Sequence, residues 1–177
     1  MDDIVQAALR KWPNVPDCRG WLGLDARGDW YMRDDGVQAA GPFPQAKGSR
    51  IQHDKLRAFI WRNYAADAQG AWFFQNGPQR VYVLLEAAPW VWRLMPAPGG
   101  GLPLRVLNPL DQEVSVRGAW LDDAGRLFLD TPCGLGLVHS LDMGLAADAL
   151  EQGAWPWGGE LPFAQLPQRF GYQLQPA

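Results

Sequence analysis

The sequence predicts an α+β protein of two tandem related strand-hairpin-plus-helix (βββα-ββ) units packed as one compact body. Three observations predict it. The stretch Gly20–Arg33, GWLGLDARGDWYMR, reads as an apolar strand, a tight Asp25-Ala26-Arg27-Gly28 turn and a second strand with Trp30 and Tyr31. The same design returns as Asp122-Asp123-Ala124-Gly125 followed by Leu127 and Phe128. Each of these hairpins is followed downstream by a stretch of helical periodicity, Ser49–Asn63 and Asp142–Gln152.

Taken in order, Asp2–Lys11 has Ile4, Val5, Ala8 and Leu9 on one helical face, with Asp2 or Asp3 to cap it and Pro13 and Pro16 to stop it. Strands are expected at Trp21–Leu24 and Trp30–Arg33. Asp opens the turn between them and Gly closes it, which suits a type I turn followed by a left-handed bulge residue. A third strand is expected at Val37–Ala40 after Asp35-Gly36. Ser49 with Gln52 fits a capping box, and Leu56, Phe59, Ile60 and Tyr64 form the apolar stripe of the helix behind it. Ala71–Gln75 and Arg80–Glu86 read as a hairpin about Asn76-Gly77, and Trp90–Leu94 as a short strand after Pro89. Pro96–Pro103, PAPGGGLP, breaks regular structure and reads as a linker.

In the second half, strands are expected at Val114–Leu121, Arg126–Asp130 and Leu135–His139, followed by the helix Asp142–Gln152. Gly70-Ala71-Trp72 is matched by Gly153-Ala154-Trp155, and Pro78-Gln79-Arg80 by Pro167-Gln168-Arg169. These matches in one order argue for an internal duplication. Phe170–Leu174 is then expected to pair as a strand, within an aromatic and proline-rich tail, Ala154–Ala177, in which the prolines forbid a helix. The organisation is an N-terminal helix over residues 1–17, a first unit over 18–95, a linker over 96–103 and a second unit over 104–177.

Composition bounds the function. The 177 residues are 47% hydrophobic and 20% charged, enough for a core and unlike a disordered chain. A net charge of −3 argues against a nucleic-acid partner. No apolar run approaches the roughly 20 residues of a membrane-spanning helix, and the opening Met1-Asp2-Asp3 is acidic where a signal peptide is basic. The expectation is a cytoplasmic protein, with Cys18 and Cys133 as reduced thiols. Ten Trp residues either stiffen a β-rich core or form a stacking surface.

Cys18-Arg19-Gly20, the Asp-x-x-Gly hairpin with Trp30-Tyr31, the helix and hairpin after it, and Glu86-Ala87-Ala88-Pro89-Trp90 resemble the layout of a proteobacterial family, the domain of unknown function 1285. The opening KWPNVPDCRGWLGLDARGDWYMRDD is similar also to another uncharacterised family, mainly of betaproteobacteria. The resemblance implies two tandem α+β motifs and a link to signalling or ligand binding. It brings no catalytic residues, and the Gly-rich linker and Trp-rich tail depart from it.

Candidate chemistry is sparse. His53 and His139 are the only histidines, and both fall near strand-to-helix junctions. No Cys-x-x-Cys or His-x-x-x-His spacing marks a zinc site, and Gly99-Gly100-Gly101 lacks the helix and Lys-Ser/Thr pair of a phosphate loop. No catalytic residue, metal or cofactor is assigned. The candidate binding surface combines Trp30, Tyr31, Arg33, Lys47, Arg50 and His53, where cations beside a helix N-terminus suit an anionic group. The leading expectation is a non-enzymatic binding or regulatory module for a small anionic ligand or a protein partner. The alternatives are an enzyme of unrecognised type using His53 or His139, and a structural homodimer with the Trp-rich tail at its interface.

Overall fold

The computed structural model describes residues 1–176, and its content is α+β. The chain divides into two compact units. One comprises Met1–Asp25, Asp29–Ala87 and the segment from Gly171 onward; the other comprises Ala26–Gly28 and Ala88–Phe170. The expected boundary inside Pro96–Pro103 is therefore moved to Ala87/Ala88, because that segment joins two paired strands of one sheet.

In the first unit the order is α1 (Asp3–Lys11), β1 (Cys18–Leu24), β2 (Trp30–Met32), α2 (Asp35–Ala40), β3 (Ser49–Arg50), α3 (Asp54–Arg62), β4 (Tyr64–Ala66), β5 (Trp72–Asn76) and β6 (Gln79–Leu85). Two expectations are corrected here. Val37–Ala40 is helical, because Asp34 caps it by accepting the Val37 N–H at 2.9 Å. The helix expected from Ser49 starts at Asp54, with His53 as its cap, and Ser49–Arg50 instead pairs with β2 at the sheet edge.

The sheet order is β3-β2-β1-β6-β5-β4, with β1 and β6 parallel and the other neighbours antiparallel. Strand alternation fixes its two faces. Cross-strand partners Leu24↔Trp30 and Leu22↔Met32 share one face with Val83, Leu85, Phe74 and Tyr64. On that side Trp30 packs against Trp61 of α3, ring centroids 4.7 Å apart, and against Tyr64 at 5.5 Å. Gly23 and Tyr31 lie on the opposite face, where Phe43 packs over them.

The second unit contains β7 (Trp90–Met95), β8 (Arg105–Leu107), β9 (Glu113–Val114), β10 (Gly118–Leu121), β11 (Leu127–Thr131), β12 (Gly134–Val138), α4 (Met143–Glu151), β13 (Trp157–Glu160) and α5 (Leu166–Phe170). The single strand expected over Val114–Leu121 is two strands, since β9 and β10 lie at separate places in the order β13-β10-β11-β12-β7-β8-β9. Phe170–Leu174 is not a strand: Leu166–Phe170 is helical, and Pro167 is tolerated in its first turn, where an N–H has no helical partner to lose. From Gly171 the chain adds to the first unit, Leu174 accepting the Leu85 N–H at 2.8 Å and Tyr172 donating its hydroxyl to the Ala87 carbonyl at 2.9 Å.

Both sheets follow one plan. Each sets two three-stranded meanders side by side, joined by a parallel pair between the first strand of one and the last strand of the other, β1 with β6 and β7 with β12. By this plan the Asp122–Gly125 hairpin occupies the place of Asp67–Gly70, between β4 and β5, and not that of Asp25–Gly28. The sequence matching was one meander out of phase. All three turns are built alike. Asp25, Asp67 and Asp122 each bond through the backbone N–H to the carbonyl four residues on, and each carboxylate accepts that residue's N–H. Gly28, Gly70 and Gly125 have φ of 82°, 78° and 72°, the left-handed conformation such a turn needs in its fourth residue.

Candidate functional site

Strand alternation separates the residues expected to share a surface. Trp30 lies in the core at 0% exposure, and its indole N–H has no hydrogen-bond acceptor among the described residues; the Trp61 and Tyr64 rings pack against its ring. Its neighbour Tyr31 points to the other face of the sheet. Arg33 is 3% exposed, with its guanidinium donating to the carbonyls of Ala46, Gly20 and Gly41 at 3.0, 3.0 and 2.7 Å. It pins the loop before β3 and is spent on structure.

The remaining cations are also committed. Lys47 bridges Asp25 and Glu86 at 3.0 and 2.9 Å, with its ammonium 5.4 Å from the Tyr31 ring centroid. Burial works against the charged ammonium, but the hydrogen bonds to Glu86 and Asp25 outweigh it and hold its pKa above the ordinary lysine value. Burial, and then the charge of Asp25, push the Tyr31 phenol above its usual range. Arg50 pairs with Asp29 at 2.8 Å. Tyr31, Lys47 and Arg50 thus come together in one network with Asp25, Asp29 and Glu86, in which each cation already meets a carboxylate. His53 lies apart from it as the cap of α3, its Nδ1 accepting the Leu56 N–H at 3.3 Å. His139 does the same for the turn before α4, accepting the Leu141 N–H at 3.1 Å. Both histidines cap the helical turns that follow them. Among the described residues no group of three His, Cys, Asp or Glu is disposed to hold a metal, and no helix is long and apolar enough to cross a membrane.

A concavity of the first unit lies elsewhere, on the face that carries Trp30. An open groove of about 320 Å³ runs between α3 and strands β1, β2, β5 and β6. Leu22, Ile51, Ile60, Phe74 and Val81 line it, together with Trp21, Met32 and Leu56, which stand 40%, 54% and 38% exposed. The β1–β6 pairing is irregular between Cys18 and Leu22, and at this irregularity both Trp21 and Leu22 reach the groove. Its polar groups are the Asn76 and Gln79 amides and the Cys18 thiol, whose pKa burial raises, keeping it neutral. The Gln79 amide donates to the Pro16 carbonyl at 3.1 Å.

Sequence reasoning missed this site. Trp21 and Met32 were legible as strand residues. Alternation placed Met32 on the Trp30 face, which was available as a signal. The short edge strand β3, which brings Ile51 beneath the groove, was not, since Ser49-Arg50 reads as a helix start.

A family model named DUF2944 and described as "Protein of unknown function (DUF2946)" matches residues 1–177. The chain belongs to this family. Two crystal structures of DUF1285 family proteins are similar to the chain at low sequence identity, and the first of them has the same fold. That from Silicibacter pomeroyi DSS-3 is 13% identical, over 84% of this chain and 84% of its own, with a TM-score of 0.52. That from Shewanella baltica OS155 is 16% identical, over 72% of this chain and 91% of its own, with a TM-score of 0.49. The resemblance to DUF1285 read from the opening hairpin thus holds as a likeness of fold. A search of curated proteins finds no match.

Proposed function

We propose that this DUF2944 protein is a non-enzymatic binding module and that the apolar groove of its first unit is the binding surface. The observation that carries the reading is convergence: Trp21, Met32 and Leu56, three large apolar side chains left substantially exposed, line one concavity. Scattered exposed apolar residues need no explanation, whereas a concave cluster marks a ligand or partner surface. The anionic ligand considered from the sequence fits less well, because Lys47, Arg50 and Arg33 are engaged by carboxylates or carbonyls. A cytoplasmic setting goes with this reading and is supported by the two unpaired thiols, Cys18 and Cys133.

Thermal-shift screening of a metabolite library tests the reading, since a ligand that binds the folded state raises its melting temperature. Compounds that stabilise the wild type should lose that effect in Met32→Asp. The absence of any stabilising compound, or shifts that survive the substitution, would exclude the groove.

A second reading, a homodimer, is favoured by one observation. β13 forms one edge of the second sheet and carries Trp157 at 55% exposure. An exposed strand edge is a template for pairing with another chain. Solution mass decides it: a dimer that Trp157→Lys dissolves would support this assembly, and a monomer at all concentrations would remove it.

A further inference from the structure

We infer that the groove of the first unit takes a neutral, mostly hydrocarbon small molecule with one hydrogen-bonding end. This rests on the binding-module reading above and narrows it to a ligand class.

The argument is one of complementarity. Among the described residues, no charged side chain lines the groove. A charged ligand held there would give up hydration to a wall that offers no counter-charge, and burying an unpaired charge is far costlier than burying an amide or hydroxyl. The floor, from Leu22, Ile60 and Phe74, is hydrocarbon and aromatic and almost wholly buried. Met32 and Trp21 form walls of polarisable, adaptable surface that accommodate alkyl or aryl groups. Polar capacity is not spread along the groove. Asn76 and Gln79 flank the same β5–β6 turn, so a ligand would place its hydrogen-bonding group at that end and its hydrocarbon towards α3. The volume of about 320 Å³ lies at the lower end of the range for small-molecule sites, which argues for a compact ligand. The Cys18 thiol beside it is neutral and contributes no charge.

Cys18 also supplies a local readout, with exposed Cys133 in the other unit as an internal control. Three ten-carbon probes differing only in head group serve as ligands below their aggregation limits: 1-decanol, decanoate and decyltrimethylammonium. Maleimide labelling of each cysteine is followed by peptide mass spectrometry. Decanol is expected to slow Cys18 labelling at least fivefold without changing Cys133, and the two ions should need at least tenfold higher concentration for the same protection. Leu56→Asp, on the exposed side of α3, should abolish decanol protection, and Met32→Lys provides the same check should the first variant not fold. Equal protection by either ion, or decanol protection that persists in the folded variants, would overturn the inference. Failure of all three probes alongside groove-dependent hits in the metabolite screen would overturn the neutral-hydrocarbon class while leaving the binding module standing.

Discussion

Asp142 Oδ2 stands 2.6 Å from Arg93 Nε and accepts the Leu94 N–H at 3.0 Å. The second carboxylate oxygen receives Arg93 Nη2 at 3.1 Å. One buried side chain therefore ties the turn before α4 to β7. Burial alone would raise its pKa, but the Arg93 hydrogen bond, the Leu94 N–H and the Arg93 charge outweigh it, and the carboxyl titrates below its usual range. Because the folded pKa is the lower one, this contribution is complete above the unfolded value of about 3.9 and is lost as the pH falls through the folded value. Asp142→Asn should destabilise the protein by about 2 kcal/mol at pH 7. It should also flatten the fall of melting temperature below pH 4, as measured by circular dichroism.

Gly70 and Gly125 close turns of the same design, but a side chain would meet different surroundings at each. At Gly125 a Cβ would enter open space, so Gly125→Ala should cost only the left-handed backbone strain, about 1–2 kcal/mol. At Gly70 it would fall on the Gly171 carbonyl oxygen. Gly70→Ala should therefore cost clearly more, and should also speed amide exchange in residues 171–176. Equal costs in urea unfolding would mean that this segment docks loosely.

The two thiols should react at different rates. Cys133 is exposed, whereas Cys18 is partly buried and its thiol is shifted towards the neutral form. With Ellman's reagent at pH 8, the native protein should release one equivalent quickly and a second slowly, and denatured protein both at once. A single fast phase in the native state would contradict the placement of Cys18.

Asp2 anchors α1. Its carboxylate accepts from Arg62 at 3.1–3.3 Å and from Asn63 Nδ2 at 3.3 Å, while its backbone N–H donates to Asn63 Oδ1 at 2.8 Å. The Arg62 hydrogen bond lowers its pKa most, against the opposing effect of burial. The anchor should therefore hold at neutral pH and weaken as the pH falls below about 4. Asp2→Ala should speed amide exchange in residues 3–11 with little change in the rest of the chain, as read by hydrogen-exchange mass spectrometry.

Much of the fold was legible because its signals are local. The Asp25 and Asp122 turns, the Asn76-Gly77 hairpin and the helices at 3–11 and 143–151 follow from spacing and turn chemistry over a few residues. What escaped depends on partners far along the chain. β3 exists because β2 is there to pair with it, and nothing in Ser49-Arg50 marks a strand. β8 and β4 are three residues each, too short for a period to register. Asp34 outcompeted the β-branched Val37 by capping a helix. The candidate surface is divided for a geometric reason already present in the sequence: Trp30 and Tyr31 are consecutive in a strand, so they face opposite ways. The same rule, applied from Trp30 to Met32, leads to the groove.

The Leu174 carbonyl that caps the Leu85 N–H has a consequence for synthesis. The first unit is not contiguous in sequence: its last piece follows the whole of the second unit. While the chain is being made, strands 18–85 must wait for residue 174 to leave the ribosome. At cellular elongation rates that interval is on the order of ten seconds. During it the Leu85 N–H, the Ala87 carbonyl and the Gly70 carbonyl are without their native partners from residues 172–174. A chain cut short before residue 171 would therefore carry every residue of the second unit and still lack the last piece of the first.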